Sequence, residues 1–294
     1  MRLITHVSPF LPVVGGEEAI RLVGNAGFDG IDWSFNREFG ENSPWMQENW
    51  REYAQKLLDT AAEFDIPFCQ AHAPFPSSKG EEPFDTRIVD ELRRCIEACG
   101  ALGIRELVIH PCQHLPCSSH RKEMFDASVA LYRLLLPLAE EMGVVLCTEN
   151  LYQEDPRRRV AIDGMNARPE DFCAMIDEIA SPYFGGCLDI GHCPLVSQSP
   201  AHCIRTLGKE RLKSLHIHDV DLVHDNHTLP FAGKIKWQEV TDALAEIAYE
   251  GDFTFELGGW FTAFPPQLWP DALRLTHQVG RYLIDRIRAA AEKG

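Results

Sequence analysis

Val144-Val145-Leu146-Cys147-Thr148-Glu149-Asn150 is a short apolar run that ends in a carboxylate and an amide. A helical pattern follows at Arg168–Ala180, where Pro169 sits in the first turn with Glu170 and Asp171 beside it. Proline's fixed φ and the helix macrodipole both favour that start. Phe184-Gly185-Gly186-Cys187-Leu188-Asp189-Ile190 is then a second apolar run, again ending near a carboxylate. Strand, helix and strand of this kind make a βα unit, and near-continuous apolar strands suit a parallel sheet covered on both faces.

The same alternation extends in both directions. Strands are predicted at Leu3–Val7, Gly30–Phe35, Pro67–His72, Glu106–His110, Val144–Asn150, Phe184–Ile190, Leu212–His218 and Asp252–Leu257. Each is bounded by Gly, Pro or Asp. Between them, Asp85–Gly103 carries Ile88, Leu92, Cys95, Ile96, Cys99 and Leu102 on one 3.6-residue stripe. Ser199-Pro200 begins another helix, which Gly208 ends; Trp237–Tyr249 presents Val240, Leu244 and Ile247; a last helix runs over 267–291. Eight βα units in succession predict a single (β/α)8 barrel, read as one domain over residues 1–294. A doubly wound sheet is the weaker alternative, because no GxGxxG follows a strand.

Composition narrows the function. The 294 residues hold 28 Lys and Arg against 44 Asp and Glu, a formal net charge of −16. That balance argues against sequence-independent binding to nucleic acid or to an anionic membrane. No run of about 18 apolar residues marks a transmembrane helix. The start, MRLITHVSPFLPVVGG, lacks the pattern of a signal peptide, and ten cysteines without CxxC spacing read as reduced thiols, so a cytoplasmic location is expected.

In such a barrel the chemistry lies at the carboxyl ends of the strands. From the third strand onward these ends carry His72, His110, Glu149, Asp189, His216 and Glu256, spaced by 38, 39, 40, 27 and 40 residues. Six successive strands therefore aim a His, Asp or Glu at one mouth. Clustered carboxylates repel and are costly to desolvate unless cations neutralise them, so a divalent metal is expected. Imidazole with carboxylate suits Zn, Mn, Fe or Co better than Ca. Glu149, Asp189, His216 and Glu256 come from consecutive strands and are the candidate ligands of one ion. His72, His110, His192, Asp225 and His227 surround them, either as ligands of further ions or as hydrogen-bonding partners of ligands and substrate. His192 follows Asp189 by three residues, and Asp225-Asn226-His227 offers an i, i+2 pair.

The ordered motifs His72-Ala73-Pro74-Phe75, Val108-Ile109-His110-Pro111, Glu149-Asn150, Leu188-Asp189-Ile190-Gly191-His192, His216-Ile217-His218-Asp219, Asp225-Asn226-His227 and Phe255-Glu256-Leu257 resemble the xylose isomerase-like TIM barrels. That superfamily includes sugar isomerases and epimerases, inosose dehydratases and the endonuclease IV family. The resemblance implies a metal-dependent isomerase or epimerase of carbohydrate metabolism, acting on a small sugar, sugar phosphate or related polyol. One divalent ion (Mn, Zn, Co, Fe or Mg) would be held by Glu149, Asp189, His216 and Glu256. Glu149 and Glu256 would exchange a proton from opposite faces of the substrate, and His192 would bind a substrate oxygen. His72 and His110 are further candidate substrate contacts. So is Trp33, one of a set of aromatic residues (Phe10, Trp33, Phe35, Phe75, Trp260 and Phe261) expected near the mouth, where sugar C–H faces stack on rings.

The resemblance also implies an alternative. Endonuclease IV holds three zinc ions with nine ligands, and all nine have counterparts here: His72, His110, Glu149, Asp189, His192, His216, Asp225, His227 and Glu256. Up to three ions and phosphodiester hydrolysis are therefore the second reading. The net charge opposes it, and Arg157-Arg158-Arg159 is the basic cluster near the mouth. An inosose dehydratase-like lyase or a metal-dependent sugar-binding protein is a third. Lys234 and Lys236 depart from the superfamily's usual residues in the loop after the seventh strand. Barrels of this kind often pair through their mouths or outer helices, so a homo-oligomer is an expectation.

Overall fold

Eight parallel strands close into a barrel with the expected helices outside it. The structure, a computed structural model, describes residues 1–36, 38–40 and 43–292. The strands are β1 (Leu3–His6), β2 (Gly30–Ser34), β3 (Phe68–His72), β4 (Glu106–Val108) and β5 (Val145–Glu149). A two-stranded antiparallel hairpin follows, β6 (Tyr152–Glu154) with β7 (Ala161–Asp163), and then β8 (Phe184–Asp189), β9 (Leu212–His216) and β10 (Phe253–Phe255). The hydrogen-bonded order is β10-β1-β2-β3-β4-β5-β8-β9. Just past β9 the ring closes on β10: Ile217 N donates to Thr254 O at 2.8 Å and Glu256 N to Ile217 O at 3.1 Å.

All eight predicted barrel strands are present, each trimmed by up to three residues. The trimming is physical: in every run but that of β3, which loses only Pro67, the last residues leave the ladder to form the mouth. The β6–β7 hairpin is an addition. Its alternation is too short and too polar to register as a strand pair in the sequence.

The helices are α1 (Leu11–Asn25), α2 (Trp50–Ala62), α3 (Phe84–Leu102), α4 (Cys117–Met142), α5 (Pro169–Ile179), α6 (His192–Leu195), α7 (Pro200–Arg211), α8 (Trp237–Glu246), α9 (Gly258–Thr262) and α10 (Trp269–Ala291). The α3 stripe of Ile88, Leu92, Cys95, Ile96, Cys99 and Leu102 is buried, as its spacing requires. Ser199 Oγ caps α7 by accepting from His202 N, and Gly208 at φ +66 breaks its last turn. No helix of the described residues is long and apolar enough to cross a membrane.

Side chains alternate between the barrel interior and the helix layer. Thr254 Oγ1 lies 3.2 Å from Gln70 Oε1, a hydrogen bond between strands that are not neighbours and so one that spans the interior. Glu256 and His72, two residues further along those chains, therefore point into the same space at the mouth.

Candidate metal centre

Glu149, at the end of β5, is the hub. Its side chain is 2% exposed. One oxygen, Oε2, lies 3.1 Å from His110 Nε2 and 3.5 Å from His72 Nε2. The other, Oε1, lies 3.2 Å from His216 Nδ1 and 3.7 Å from His192 Nδ1. His216, at the end of β9, sits among all three other carboxylates of the expected ion site. Its Nδ1 is 3.2 Å from Glu149, 3.4 Å from Glu256 Oε2 and 4.0 Å from Asp189 Oδ2. The four residues expected to hold one ion thus converge.

The flanking residues converge too. His72 Nδ1 sits 2.7 Å from Ala73 O, which places its proton there and leaves a bare lone pair on Nε2. That nitrogen faces His110 Nε2 at 3.1 Å. Two imidazole nitrogens aimed at each other beside a carboxylate are a ligand arrangement. On the other side, His192 Nδ1 is committed to Asn150 O at 2.8 Å and His227 Nδ1 to Glu256 O at 2.9 Å. Their Nε2 atoms both face Asp225 Oδ2, at 3.4 and 3.1 Å. Locking one ring nitrogen on a backbone carbonyl fixes the tautomer that presents the other as a ligand.

The donor set fits a divalent cation. Glu149 Oε2 and Asp225 Oδ1 are buried without a hydrogen-bond partner, and each belongs to a group of potential ligands. Buried polar atoms are almost always satisfied, so orphaned carboxylate oxygens beside imidazoles mark a missing partner. Compact groups of potential ligands are His72–His110–Glu149, Glu149–Asp189–His192, His72–His216–Glu256, Asp189–His218–Glu256 and His192–His218–Asp225–His227. These overlap, so the cluster has room for one central ion with or without ions on either flank.

Electrostatics agree with that reading. Burial pushes the Glu149 carboxyl up, but the imidazoles of His216 and His110 outweigh it and hold its pKa well below the usual carboxylate range. Burial pulls His227 down, yet the hydrogen bond to Asp225 and the charge of Glu256 carry it to about 10. His192 is likewise raised, against its burial, by the charges of Asp189 and Asp225. The site seeks positive charge, and a metal ion supplies it without protons.

Over residues 20–278 the sequence matches the family model described as the xylose isomerase-like TIM barrel. The chain belongs to that family. An uncharacterized protein of Methanocaldococcus jannaschii is 28% identical over 193 residues, 63% of this chain and 62% of that one. The 3-oxo-isoapionate decarboxylase of Pectobacterium atrosepticum is 30% identical over 130 residues, 44% of this chain and 40% of that one. The chain therefore spans under two thirds of the length of these curated relatives. Among solved structures, a D-tagatose 3-epimerase-like protein superposes with a TM-score of 0.76 at 20% identity, covering 98% of this chain and 99% of the other. The IolI protein with a zinc atom gives 0.74 at 17% identity, with 98% of both chains covered. Likeness at this identity establishes the shared fold.

In this xylose isomerase-like barrel, two expectations about the mouth need correction. Trp33 is not a substrate contact. It is fully buried on the helix side of β2, edge-on to Trp45 and Phe68, and its indole N–H donates to Glu38 at 2.9 Å. Strand alternation decides this: Asp32 faces the interior, so its neighbour faces the helices. Phe10, Phe35 and Phe261 are also fully buried. Of the aromatic set, Phe75 is exposed and stacked on His110, with ring centroids 4.7 Å apart. Arg157, Arg158 and Arg159 are exposed in the β6–β7 turn, where Arg159 pairs with Glu154.

Several residues of the site were given no role by the reading of strand ends. His218 Nε2 lies 2.9 and 3.0 Å from the two oxygens of Asp189, and its ring stacks on His227 at 3.8 Å. Its spacing from His216 is the strand period, a signal that could have found it. Gly191 is required beside it, because a Cβ there would overlap the His218 ring. Asn150 clamps β5 to β8, donating to Asp189 O at 3.0 Å and accepting from Asp189 N at 2.7 Å. His6, at the end of β1, accepts from Leu257 N at 3.0 Å; burial lowers its pKa to about 3, so it serves as a neutral acceptor. Asp219 anchors the loop that carries Asp225 and His227, accepting from Val220 N, Phe231 N, Ile235 N and Trp237 Nε1 at 2.8 to 3.0 Å.

Proposed function

We propose that the protein is a metal-dependent isomerase or epimerase of a small sugar, sugar phosphate or related polyol. The observation that carries the proposal is the convergence of Glu149, Asp189 and Glu256 on His216, each with a carboxylate oxygen within 4.0 Å of its Nδ1. Support also comes from the names of the structural neighbours, which include D-allulose 3-epimerase from a Methylomonas species and L-ribulose 3-epimerase.

Glu149, Asp189, His216 and Glu256 would hold the ion. Bound there, it would lower the pKa of a C–H next to a carbonyl. The chain's own residues divide the remaining work unequally. Glu256 is 20% exposed and opens to the mouth, so its Oε atoms can take a proton from a substrate carbon and return it. Glu149 is enclosed by four imidazoles, which hold it ionised and in place. It is the second member of the proton-transferring pair and the more firmly positioned one. His192, locked through Nδ1, presents Nε2 for a substrate oxygen.

The test is solvent-deuterium incorporation into a panel of ketoses by metal-loaded protein. Glu256→Gln should lower exchange per bound metal ion by about 100-fold or more, the scale of a lost general base, with the fold retained. Exchange at the wild-type rate would rule out the proton-transfer role.

One set of observations favours a second reading. His72–His110–Glu149 and His192–His218–Asp225–His227 flank the central group, as a three-ion phosphodiester hydrolase would need. Against it stand the charge of −16 and the solvated arginine turn. Metal stoichiometry separates them: one ion per chain supports the isomerase, and three zinc ions with turnover of an abasic-site oligonucleotide support the hydrolase.

A further inference from the structure

A cavity of about 400 Å³ opens beside the metal centre, between the loops that follow β3 and β4. Phe75 and His110 form its inner wall, and Ser78, Lys79, Gln113 and His114 its outer one. This size accommodates a small ligand of the sugar class. The wall it shares with the centre is the imidazole of His110, stacked under Phe75.

The charge around this cavity is unlike that of the rest of the molecule. The chain carries 44 acidic side chains, yet none lines it; the ionisable groups there are Lys79, His110 and His114. The carboxylates of the centre come from β5, β8, β10 and the loop after β9, whereas β3 and β4 contribute imidazoles. Glu81 and Glu82 of the loop after β3 do not line it, and Asp85, in the first turn of α3, is engaged with the loop, accepting from Lys79 N at 2.8 Å and from Ser78 Oγ at 2.9 Å. Since Ser78 Oγ donates to Asp85, it accepts from His114 Nδ1 at 3.1 Å, which sets the His114 tautomer. The Lys79 ammonium rests over the Phe84 ring, 4.5 Å from its centroid, without an ion-pair partner among the described residues.

We propose that this cavity is an anion subsite, and that the substrate carries a carboxylate or a phosphate remote from its reacting carbon. Lys79 meets the charge, His114 and Gln113 border the polar group, and Phe75 stacks on the sugar's C–H face. The sugar's other end then lies against His110 and the centre. The inference rests on the isomerase reading for the sugar part of the ligand, and on the cavity's charge for the anion.

The experiment is calorimetric binding to metal-loaded protein of three five-carbon probes that lack a ketone and so cannot turn over: xylitol, D-xylonate and xylitol 5-phosphate. At least one anion should bind 10-fold or more tighter than xylitol. Preference for D-xylonate assigns a sugar acid, and preference for the phosphate a sugar phosphate. Lys79→Met should bring that ratio to within about 3-fold of unity, and Lys79→Arg, which keeps the charge, should preserve it. Equal binding of all three probes, no binding of either anion at millimolar concentration, or a preference that survives Lys79→Met would each overturn the subsite. Survival in that variant would mean that the anion sits on the metal instead. Binding is read without turnover, so failure of the subsite is distinguishable from failure of the isomerase reading, which only deuterium exchange reports.

Discussion

Asp219 offers the most direct link between stability and the metal centre. It is fully buried, and its two oxygens accept four hydrogen bonds: Oδ1 from Val220 N and Ile235 N, Oδ2 from Phe231 N and Trp237 Nε1. A hydrogen bond to a charged acceptor contributes roughly 1.5–3 kcal/mol. In Asp219→Ala the Phe231 and Ile235 amides, on partly exposed residues, regain water. The Val220 amide and the Trp237 indole stay dry and unpaired. Two such losses amount to about 3–6 kcal/mol, a large part of a domain's stability. Asp219→Asn keeps one acceptor oxygen but turns an amide –NH2 toward Phe231 N or Val220 N, so about half that loss is expected. The consequence for function follows from position. Residues 220–236 carry Asp225 and His227, and Asp219 holds both ends of that segment. Urea unfolding should therefore show the order wild type, Asn, Ala. Zinc retained after dialysis should fall in the same order, because His227 on this loop is hydrogen-bonded to Glu256 O at the ion site. If Asp219→Ala costs less than about 1 kcal/mol and retains wild-type zinc, the carboxylate does not organise this loop.

Two further outcomes follow. His72→Ala should leave the ion held by Glu149, Asp189, His216 and Glu256 in place and deuterium exchange within about 10-fold of wild type, since a positioning contact contributes roughly a kcal/mol; loss of both metal and turnover would favour the multi-ion hydrolase. Burial raises the Glu38 carboxyl to about 7 from an ordinary 4.5, against two indole donors, Trp33 and Trp45. An acid with a raised folded pKa is deprotonated first in the unfolded chain, so its contribution is full below pH 4.5 and is lost as pH rises to about 7. Glu38→Gln keeps an acceptor for both indoles and should be the more stable protein at pH 8, by at most ~3 kcal/mol. Thermal unfolding of both proteins between pH 4.5 and 8 checks this, and a gain for the variant only at the acid end would refute it.

Much of the barrel was legible because it depends on local patterns. Apolar runs of strand length, the α3 stripe, Pro169 with its acidic neighbours, and the Ser199-Pro200 start each act through their own few residues. The candidate ligands were legible for a related reason. A strand's carboxyl end is set by where its apolar run stops, and in a closed parallel barrel all such ends share one mouth. Hence six separated residues, from His72 to Glu256, could be placed together before any distance was known, whereas His192, Asp225 and His227 were added as loop residues close to those ends and through the family resemblance.

Side-chain direction and partnership were not legible in that way. Trp33 and Asp32 are adjacent in sequence, and a shift of one residue sends one to the helices and the other to the interior. His218 was passed over although it repeats His216 at the strand period, since its value depends on Asp189 and His227, which reach it from other segments. The clamp of Asn150 on Asp189 and the fourfold grip of Asp219 are likewise long-range bonds. The sequence by itself determined the barrel, its mouth and the residue types gathered there, because period, breakers and strand ends are local properties. Only the tertiary structure decided which imidazole nitrogen faces which carboxylate, which aromatic is core, and where the acids are absent. Those depend on the closing of the ring, which brings side chains more than 100 residues apart, such as His72 and His216, into ring contact.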